Sequence, residues 1–189
     1  DVLVTELTKR KINPERIRNI FLGLNDGLVE ILGAVSGFFG AFGSATTVLI
    51  AASTTAVAGA LSMAAGSFLA LNSEKEVKTT ELAKKVFLGE ESEMSPMEES
   101  PMGSALVVGT AYIIGALVPV LPVLVGAKDA LFSVLTAGLM VILVSTVLSF
   151  LSGMDVKRRI VLNVVIITVA VSVSYAIGLA AKQIWGIAV

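Results

Sequence analysis

Five long apolar segments, separated by short charged stretches, dominate this sequence. They cover approximately residues 20–42, 46–71, 103–118, 129–151 and 160–181. As helices, apolar segments of roughly 17–25 residues cross a hydrocarbon core of about 30 Å. Soluble helices would need polar faces, yet charged residues make up only 15% of this chain, against roughly 25% in soluble domains. The sequence therefore predicts an all-α, polytopic membrane protein with five transmembrane helices per protomer.

The segments divide the chain into four regions. These are a cytoplasmic arm with the start of the first helix (1–19), the first two transmembrane helices (20–71), a cytoplasmic Glu/Met-rich loop (72–101) and the last three helices (102–189). Asn13 and Pro14 have the residue types of an N-cap and a first helical position. Pro119 and Pro122 are predicted to end the third helix, because proline interrupts the helical hydrogen-bond ladder.

The basic residues indicate the orientation in the membrane. Twelve of the fourteen lie in the N-terminal arm, the stretch after the second segment and the stretch after the fourth. Only Lys128 and Lys182 lie on the opposite side. Because cytoplasmic loops carry an excess of Lys and Arg, we expect a cytoplasmic N-terminus and a C-terminus across the membrane.

The composition excludes several kinds of site. The chain has no cysteine and no histidine, which excludes disulfides, thiolate sites and imidazole ligation. A metal must therefore be held by carboxylate, carbonyl, hydroxyl, amide or thioether groups. The net charge of −1 gives no basic surface for nucleic acid. We expect neither enzymatic chemistry nor a permanently bound cofactor.

Two acidic residues, Asp26 and Glu30, lie inside the first apolar segment. A spacing of four puts them on one helix face, roughly 9 and 15 Å beyond Ile20 at about 1.5 Å per residue. Each buried charge costs roughly 2.5–3.5 kcal/mol on insertion scales, so we expect both to face another helix or a wet cavity. Gly33 and Gly37 continue the stripe as a small-residue surface for helix contact.

The two carboxylates favour cation chemistry. Close acids in a low-dielectric site resist simultaneous ionisation, and a divalent cation reverses that preference by replacing a proton. This arrangement predicts proton–metal exchange without histidine. The alternative is structural: Asp26 bonds to backbone at a break over residues 25–27, and Glu30 stays protonated.

The second segment offers further ligands. Gly59, Met63 and Ser67 share one helix line. A lone methionine is usually core filler, but beside two carboxylates its thioether is a softer ligand that favours Fe²⁺ or Mn²⁺ over Mg²⁺ or Ca²⁺. The predicted metal-binding residues are Asp26, Glu30, Met63, Asn25 and Ser67.

Other polar residues have two interpretations. A Glu/Met-rich cluster in the 72–101 stretch either gathers cations at the cytoplasmic mouth or forms a solvated acidic linker. Its members are Glu90, Glu91, Glu93, Met94, Met97 and Glu98, followed by Glu99. Asn163 and Tyr175 in the fifth segment are predicted to make helix–helix hydrogen bonds rather than to bind metal.

At these residues the sequence resembles the vacuolar iron transporter family of Fe²⁺/Mn²⁺ transporters. The matching stretches are GLNDGLV at 23–29, AGALSMAAG at 58–66, GALVPVLP at 115–122 and SYAIG at 174–178. They cover nearly the whole chain in the family's order. The NDGL and SMAAG pieces are the most distinctive.

The resemblance implies a five-helix protomer that forms a homodimer, with the ion path between subunits and Asp26 and Met63 as transmembrane ligands. It also implies export of Fe²⁺ from the cytosol in exchange for protons. Two departures stand out. Where the family motif continues Gly-Glu-Tyr or Gly-Glu-Phe, this chain has Ser67 and loses a carboxylate, for which Glu30 is a candidate replacement. The 72–101 stretch has no room for the long cytoplasmic metal-binding domain of eukaryotic members.

We interpret the chain as a homodimeric Fe²⁺/Mn²⁺ exporter coupled to protons. The alternatives are a non-transporting membrane anchor for a ferritin-like domain and a passive cation channel. One family branch resembles membrane-bound ferritin or rubrerythrin proteins, so a ferritin-like domain upstream is a candidate partner. The short 72–101 stretch favours a prokaryotic plasma membrane, with an organellar membrane as the alternative.

Overall fold

The computed structural model describes residues 14–89, 100–152 and 155–186, and within these ranges it contains five helices and no strand. They are α1 (Pro14–Ala41), α2 (Ala45–Phe87), α3 (Pro101–Leu124), α4 (Leu131–Ser152) and α5 (Val156–Trp185). Among the described residues, α1, α2, α3 and α5 are long and apolar enough to cross a membrane, and α4 contributes a shorter apolar stretch, Leu131–Val147. The predicted all-α class and the multi-pass membrane architecture are confirmed.

Polar side chains fix where most of the helices begin. Ser44 accepts a hydrogen bond from the backbone N–H of Thr47 at the start of α2, and Ser100 accepts one from Gly103 at the start of α3. Asp155 caps α5 in the same way. Each cap satisfies a backbone donor that the first helical turn leaves unpaired. Pro14 begins α1 as predicted, whereas Asn13 lies outside the described residues.

The second helix is longer than predicted. We expected it to end near Leu71, but α2 has 43 residues and continues to Phe87. At about 1.5 Å per residue it is roughly 65 Å long, about twice the hydrocarbon thickness. Its charged half is exposed and carries local pairs at four-residue spacing, such as Lys78 with Glu74 at 2.6 Å. Such pairs support a solvated helix that apolar periodicity alone does not reveal.

The prediction that the prolines end the third helix is wrong. Pro119 and Pro122 both lie inside α3, which continues to Leu124. Proline is tolerated in transmembrane helices because neighbouring helices and Ser/Thr side chains satisfy nearby backbone groups. Here the hydroxyl of Ser133 donates to the carbonyl of Pro119 at 2.9 Å, which ties α4 to α3. The helix closes normally beyond the prolines, with Val125 N–H donating to a carbonyl one turn earlier.

α1 is the central helix and contacts the other four. One buried cluster joins it to α2 and α3 through Ile31, Val48 and Tyr112. A second cluster joins it to α4 and α5 through side chains that include Leu32 and Ile167. The side chains that line a site on α1 are therefore held by a helix that is packed on several sides.

Glycines allow the backbones of α1, α3 and α5 to approach closely. A Cβ at Gly115 of α3 would overlap the carbonyl oxygen of Leu24, and one at Gly178 of α5 would overlap the carbonyl oxygen of Gly37. The predicted small-residue surface at Gly33 and Gly37 therefore does serve helix contact, against α5.

A side-chain hydrogen bond also joins α5 to α4. The Asn163 amide donates to the Ser145 hydroxyl at 2.9 Å. This confirms the predicted helix–helix role of Asn163.

Candidate metal site

A cavity of about 540 Å³ lies between α1, α2 and α3. Its polar and charged lining residues are Arg18, Asn19, Asp26, Glu30, Ser62, Ser67, Glu74 and Ser104. The sulfur-containing side chain of Met63 completes this set. Four of the five predicted metal-binding residues therefore share one cavity.

The α1 wall is a single line of side chains. Arg18, Leu22, Asp26 and Glu30 follow one another at four-residue intervals and all line the cavity. Residues with this spacing stack on one helix face, about 6 Å apart along the axis. Both carboxylates thus lie in the same wall, deeper in the apolar segment than the guanidinium. The helix is continuous through residues 25–27, so the backbone break assumed by the structural alternative is absent there.

The α2 wall presents small residues around one thioether. Gly59, Met63 and Ser67 line the cavity together, as their shared helix line predicts. Met63 is half-buried against the core cluster. Ser67 shares a hydrogen bond of 2.9 Å with the hydroxyl of Ser104 on α3. A soft donor and a hydroxyl therefore lie opposite the two carboxylates of α1.

Glu30 is held by a residue that the sequence reasoning missed. The Tyr112 hydroxyl on α3 donates to Glu30 Oε2 at 2.8 Å. The tyrosine is fully buried, and its hydroxyl occupies the space that a side chain at Gly59 would need. One carboxylate of the site is therefore oriented by three helices together.

A second polar contact set joins the same helices. The Asn19 amide of α1 donates to the Ser104 hydroxyl at 2.9 Å, and Ser104 also contacts Ser67 of α2. Asn19 and Ser104 are both buried. These bonds fix the relative positions of α1, α2 and α3 around the cavity.

Two of the predicted metal-binding groups fall outside this cavity. Asn25 is exposed and is absent from the cavity lining, so the structure does not bring its amide to the other ligands. The Glu/Met-rich cluster predicted to gather cations, which comprises Glu90, Glu91, Glu93, Met94, Met97 and Glu98, lies outside the described residues. Within the part of the chain that is described, no group of three or more acidic side chains converges as a metal site. Two carboxylates and a thioether are therefore the core of the candidate site.

The missed residues could be recognised only in part from sequence. Tyr112 and Ser104 are polar residues in the third apolar segment, and buried tyrosines usually find a hydrogen-bond partner. That signal marks them as helix-contact residues. It does not say that the partner of Tyr112 is Glu30, which lies 82 positions away in the chain.

Both carboxylates are exposed on the surface of the single protomer. Asp26 and Glu30 have exposed side chains, although they belong to a span that is otherwise long and apolar. Each charge facing lipid would cost roughly 2.5–3.5 kcal/mol. The open side of the cavity therefore requires water, a cation or another protein surface.

The fold defines a multi-pass membrane protein with a carboxylate-lined cavity between its first three helices. The model of the VIT family matches residues 17–88 and 84–179. The chain belongs to this family, which confirms the resemblance seen in the sequence.

Individual relatives are plant proteins. Vacuolar iron transporter 1 of Arabidopsis thaliana is 32% identical over 107 residues, which cover 49% of this chain and 43% of that protein. VIT-like transporter 1a of Glycine max is 32% identical over 112 residues, 56% of this chain and 54% of that protein. Vacuolar iron transporter homolog 5 of Oryza sativa subsp. japonica is 32% identical over 105 residues, 56% of this chain and 50% of that protein. The chain spans about half the length of the curated relatives that it matches.

Proposed function

We propose that this protein carries Fe²⁺ or Mn²⁺ out of the cytosol through the α1–α3 cavity in exchange for protons. The observation that carries the proposal is the convergence of Asp26, Glu30 and Met63 on one cavity in a transmembrane bundle. Membership of the VIT family and similarity to vacuolar iron transporters support metal as the cargo.

The ligand set favours a transition metal. Two carboxylates supply hard oxygen donors and the thioether of Met63 supplies a soft one, a mixture that suits Fe²⁺ or Mn²⁺ better than Mg²⁺ or Ca²⁺. A divalent cation and protons compete for the same carboxylate oxygens. Release of the metal on the other side allows protons to return, which couples the two flows.

The working unit that we propose is a homodimer. Asp26 and Glu30 lie on an exposed face of the protomer, and a second copy related by a two-fold axis would cover them with the same face. The two cavities would then form one path between subunits. This arrangement removes both carboxylates from lipid without burying them in an apolar core.

Flux in liposomes tests the proposal. The full chain is reconstituted with an internal metal dye and an internal pH dye, and Mn²⁺ is added outside. We expect metal entry together with proton exit. Asp26→Asn should abolish both signals, because it removes one of the two charges that bind the cation while keeping the side chain's shape.

The matched control is Asp129→Asn. This residue lies in the connection before α4, where its carboxylate accepts a hydrogen bond from the backbone N–H of Leu131, and it is absent from the cavity lining. Its flux should equal that of the wild type. Metal entry without proton exit would indicate a passive channel, and silence from the wild-type protein would support a membrane anchor.

A further inference from the structure

Tyr112 provides the side-chain hydrogen bond to Glu30 that the structure records across the α1–α3 interface. Its hydroxyl donates to Oε2 at 2.8 Å, and among the described residues no donor is recorded on Oε1. The carboxylate therefore has one oxygen engaged by the protein and one oxygen left for a cation.

The tyrosine is held so that its hydroxyl has little freedom. Its side chain is 0% exposed and belongs to the core cluster shared by α1, α2 and α3. Its backbone lies directly against Gly27, where even a Cβ would overlap it. A buried donor that cannot swing away fixes the position of the carboxylate that it binds.

Gly59 makes room for this hydroxyl. A Cβ at position 59 would overlap the Tyr112 hydroxyl and come within 2.5 Å of the adjoining ring carbon. Three helices therefore build this contact: Gly59 of α2 leaves the space, Tyr112 of α3 donates the hydrogen bond and Glu30 of α1 accepts it. Together they hold the Glu30 carboxylate in one orientation in the cavity.

This orientation has a consequence for the choice of ion. A carboxylate whose second oxygen already accepts a hydrogen bond favours one-oxygen coordination, because a cation bound by both oxygens would have to share that oxygen with the donor. Ca²⁺ takes six to eight oxygens and often uses both oxygens of a carboxylate, whereas smaller divalent ions are satisfied by six ligands. One-oxygen binding therefore disfavours Ca²⁺ more than Mn²⁺ or Fe²⁺.

We propose that Tyr112 is a positioning residue for ion selection, which holds Glu30 for one-oxygen coordination and thereby favours Mn²⁺ or Fe²⁺ over Ca²⁺. The inference rests on the proposed function in one respect, namely that the cavity binds the metal. It goes further by assigning selectivity to a residue on α3 that does not itself touch the ion.

Tyr112→Phe tests the inference, because it keeps the buried ring and removes only the hydroxyl. Mn²⁺ binding to the purified protein in detergent is measured as the loss of the electron paramagnetic resonance signal of free Mn²⁺, with Ca²⁺ as competitor. We expect Mn²⁺ affinity to fall about tenfold, as is common when the partner of a metal ligand is removed. Ca²⁺ affinity should change less, so the Mn²⁺/Ca²⁺ ratio falls.

The chain contains one other tyrosine, which serves as the matched control. Tyr175 lies on α5 and is absent from the cavity lining. Tyr175→Phe should leave the ratio unchanged. If thermal unfolding shows that Tyr112→Phe is strongly destabilised, Glu30→Asp is used as the second variant. It moves the carboxylate away from the Tyr112 hydroxyl by one methylene group and should lower the ratio of Mn²⁺ to Ca²⁺ affinity in the same way.

A double variant separates positioning from general packing. If Tyr112 acts through Glu30, adding Tyr112→Phe to Glu30→Gln should cause no further change in the ratio. An unchanged ratio in Tyr112→Phe, or an equal further loss in the Glu30→Gln background, would overturn the inference.

Liposome flux distinguishes the two proposals. A wild-type protein that transports no metal, together with a shifted binding ratio in Tyr112→Phe, contradicts transport only. Normal wild-type flux with an unshifted ratio contradicts ion selection only. A wild-type chain that binds no Mn²⁺ overturns both.

Discussion

At the scale of single residues, the site depends on which side chain is absent as much as on which is present. Gly59 lines the cavity and leaves the space that the Tyr112 hydroxyl fills. The tyrosine in turn donates to Glu30. A substitution at a residue that carries no ligand atom should therefore alter the metal site through its neighbour.

Gly59→Ala should weaken Mn²⁺ binding. The added methyl group overlaps the Tyr112 hydroxyl, so the ring must move and its bond to Glu30 is lost or lengthened. We expect affinity to fall about tenfold and the free energy of unfolding to fall by about 1–3 kcal/mol, the usual range for overpacking. Mn²⁺ titration and thermal unfolding in detergent measure the two effects.

Gly138→Ala is the control for that substitution. A Cβ at Gly138, in α4, meets nothing within 4 Å, and alanine is favoured over glycine in helices by roughly 0.5–1 kcal/mol. Binding should be unchanged and stability unchanged or slightly higher. Equal Mn²⁺ affinity and equal stability of the two variants would show that the contact between Gly59 and Tyr112 contributes neither to metal binding nor to folding.

At the scale of helices, the sequence predicts which side chains share one face of a helix, but it does not predict the hydrogen bonds between helices. Asp26 and Glu30 were placed together by their four-residue spacing, and the same rule aligned Met63 with Ser67; all four line the cavity. The bond from Tyr112 was not predicted, because periodicity gives no register between α3 and α1.

The helix ends show a second limit of sequence reasoning. A span needs roughly 20 apolar residues, and the five predicted apolar segments coincide largely with α1 to α5. The exposed continuation of α2 to Phe87 depends on local pairs in water, and the passage of α3 through Pro119 and Pro122 depends on packing. Neither is encoded in hydropathy.

The close approach of α1 and α5 gives a prediction at this scale. Gly178 is buried in α5, and a Cβ there would overlap the carbonyl oxygen of Gly37, with backbone rather than a flexible side chain in the way. Gly178→Ala should therefore separate the two helices and lower the free energy of unfolding by about 1–3 kcal/mol. Thermal unfolding in detergent, compared with Gly138→Ala, tests this; a variant as stable as that control would contradict the packing argument.

At the scale of the whole molecule, the described surface combines exposed apolar side chains with two exposed carboxylates beside the cavity. Large apolar side chains are exposed along the other helices, as Leu139 on α4 and Val169 on α5 illustrate, and this is expected for a surface that faces lipid. Asp26 and Glu30 are exposed as well, on the face that opens the cavity. We propose that a second copy covers this charged opening.

The proposed dimer can be tested with single cysteines, since these 189 residues contain none. Leu22 lies one helical turn from Asp26 in the cavity wall and is 53% exposed. Residues close to a two-fold axis lie near their own counterparts in the second copy. Leu22→Cys in native membranes should therefore form covalent dimers with a short bifunctional maleimide, visible on a denaturing gel.

Leu139→Cys is the control for cross-linking by random encounters. Leu139 is 62% exposed on α4 and is absent from the cavity lining; labelling with a monofunctional maleimide checks that the thiols at positions 22 and 139 react to the same extent. Random encounters in the membrane would cross-link both variants to the same extent. Selective cross-linking at position 22 supports a shared ion path, because the face that is joined carries both carboxylates; equal yields, or none at position 22, would leave the two acids to be covered by water within a single protomer.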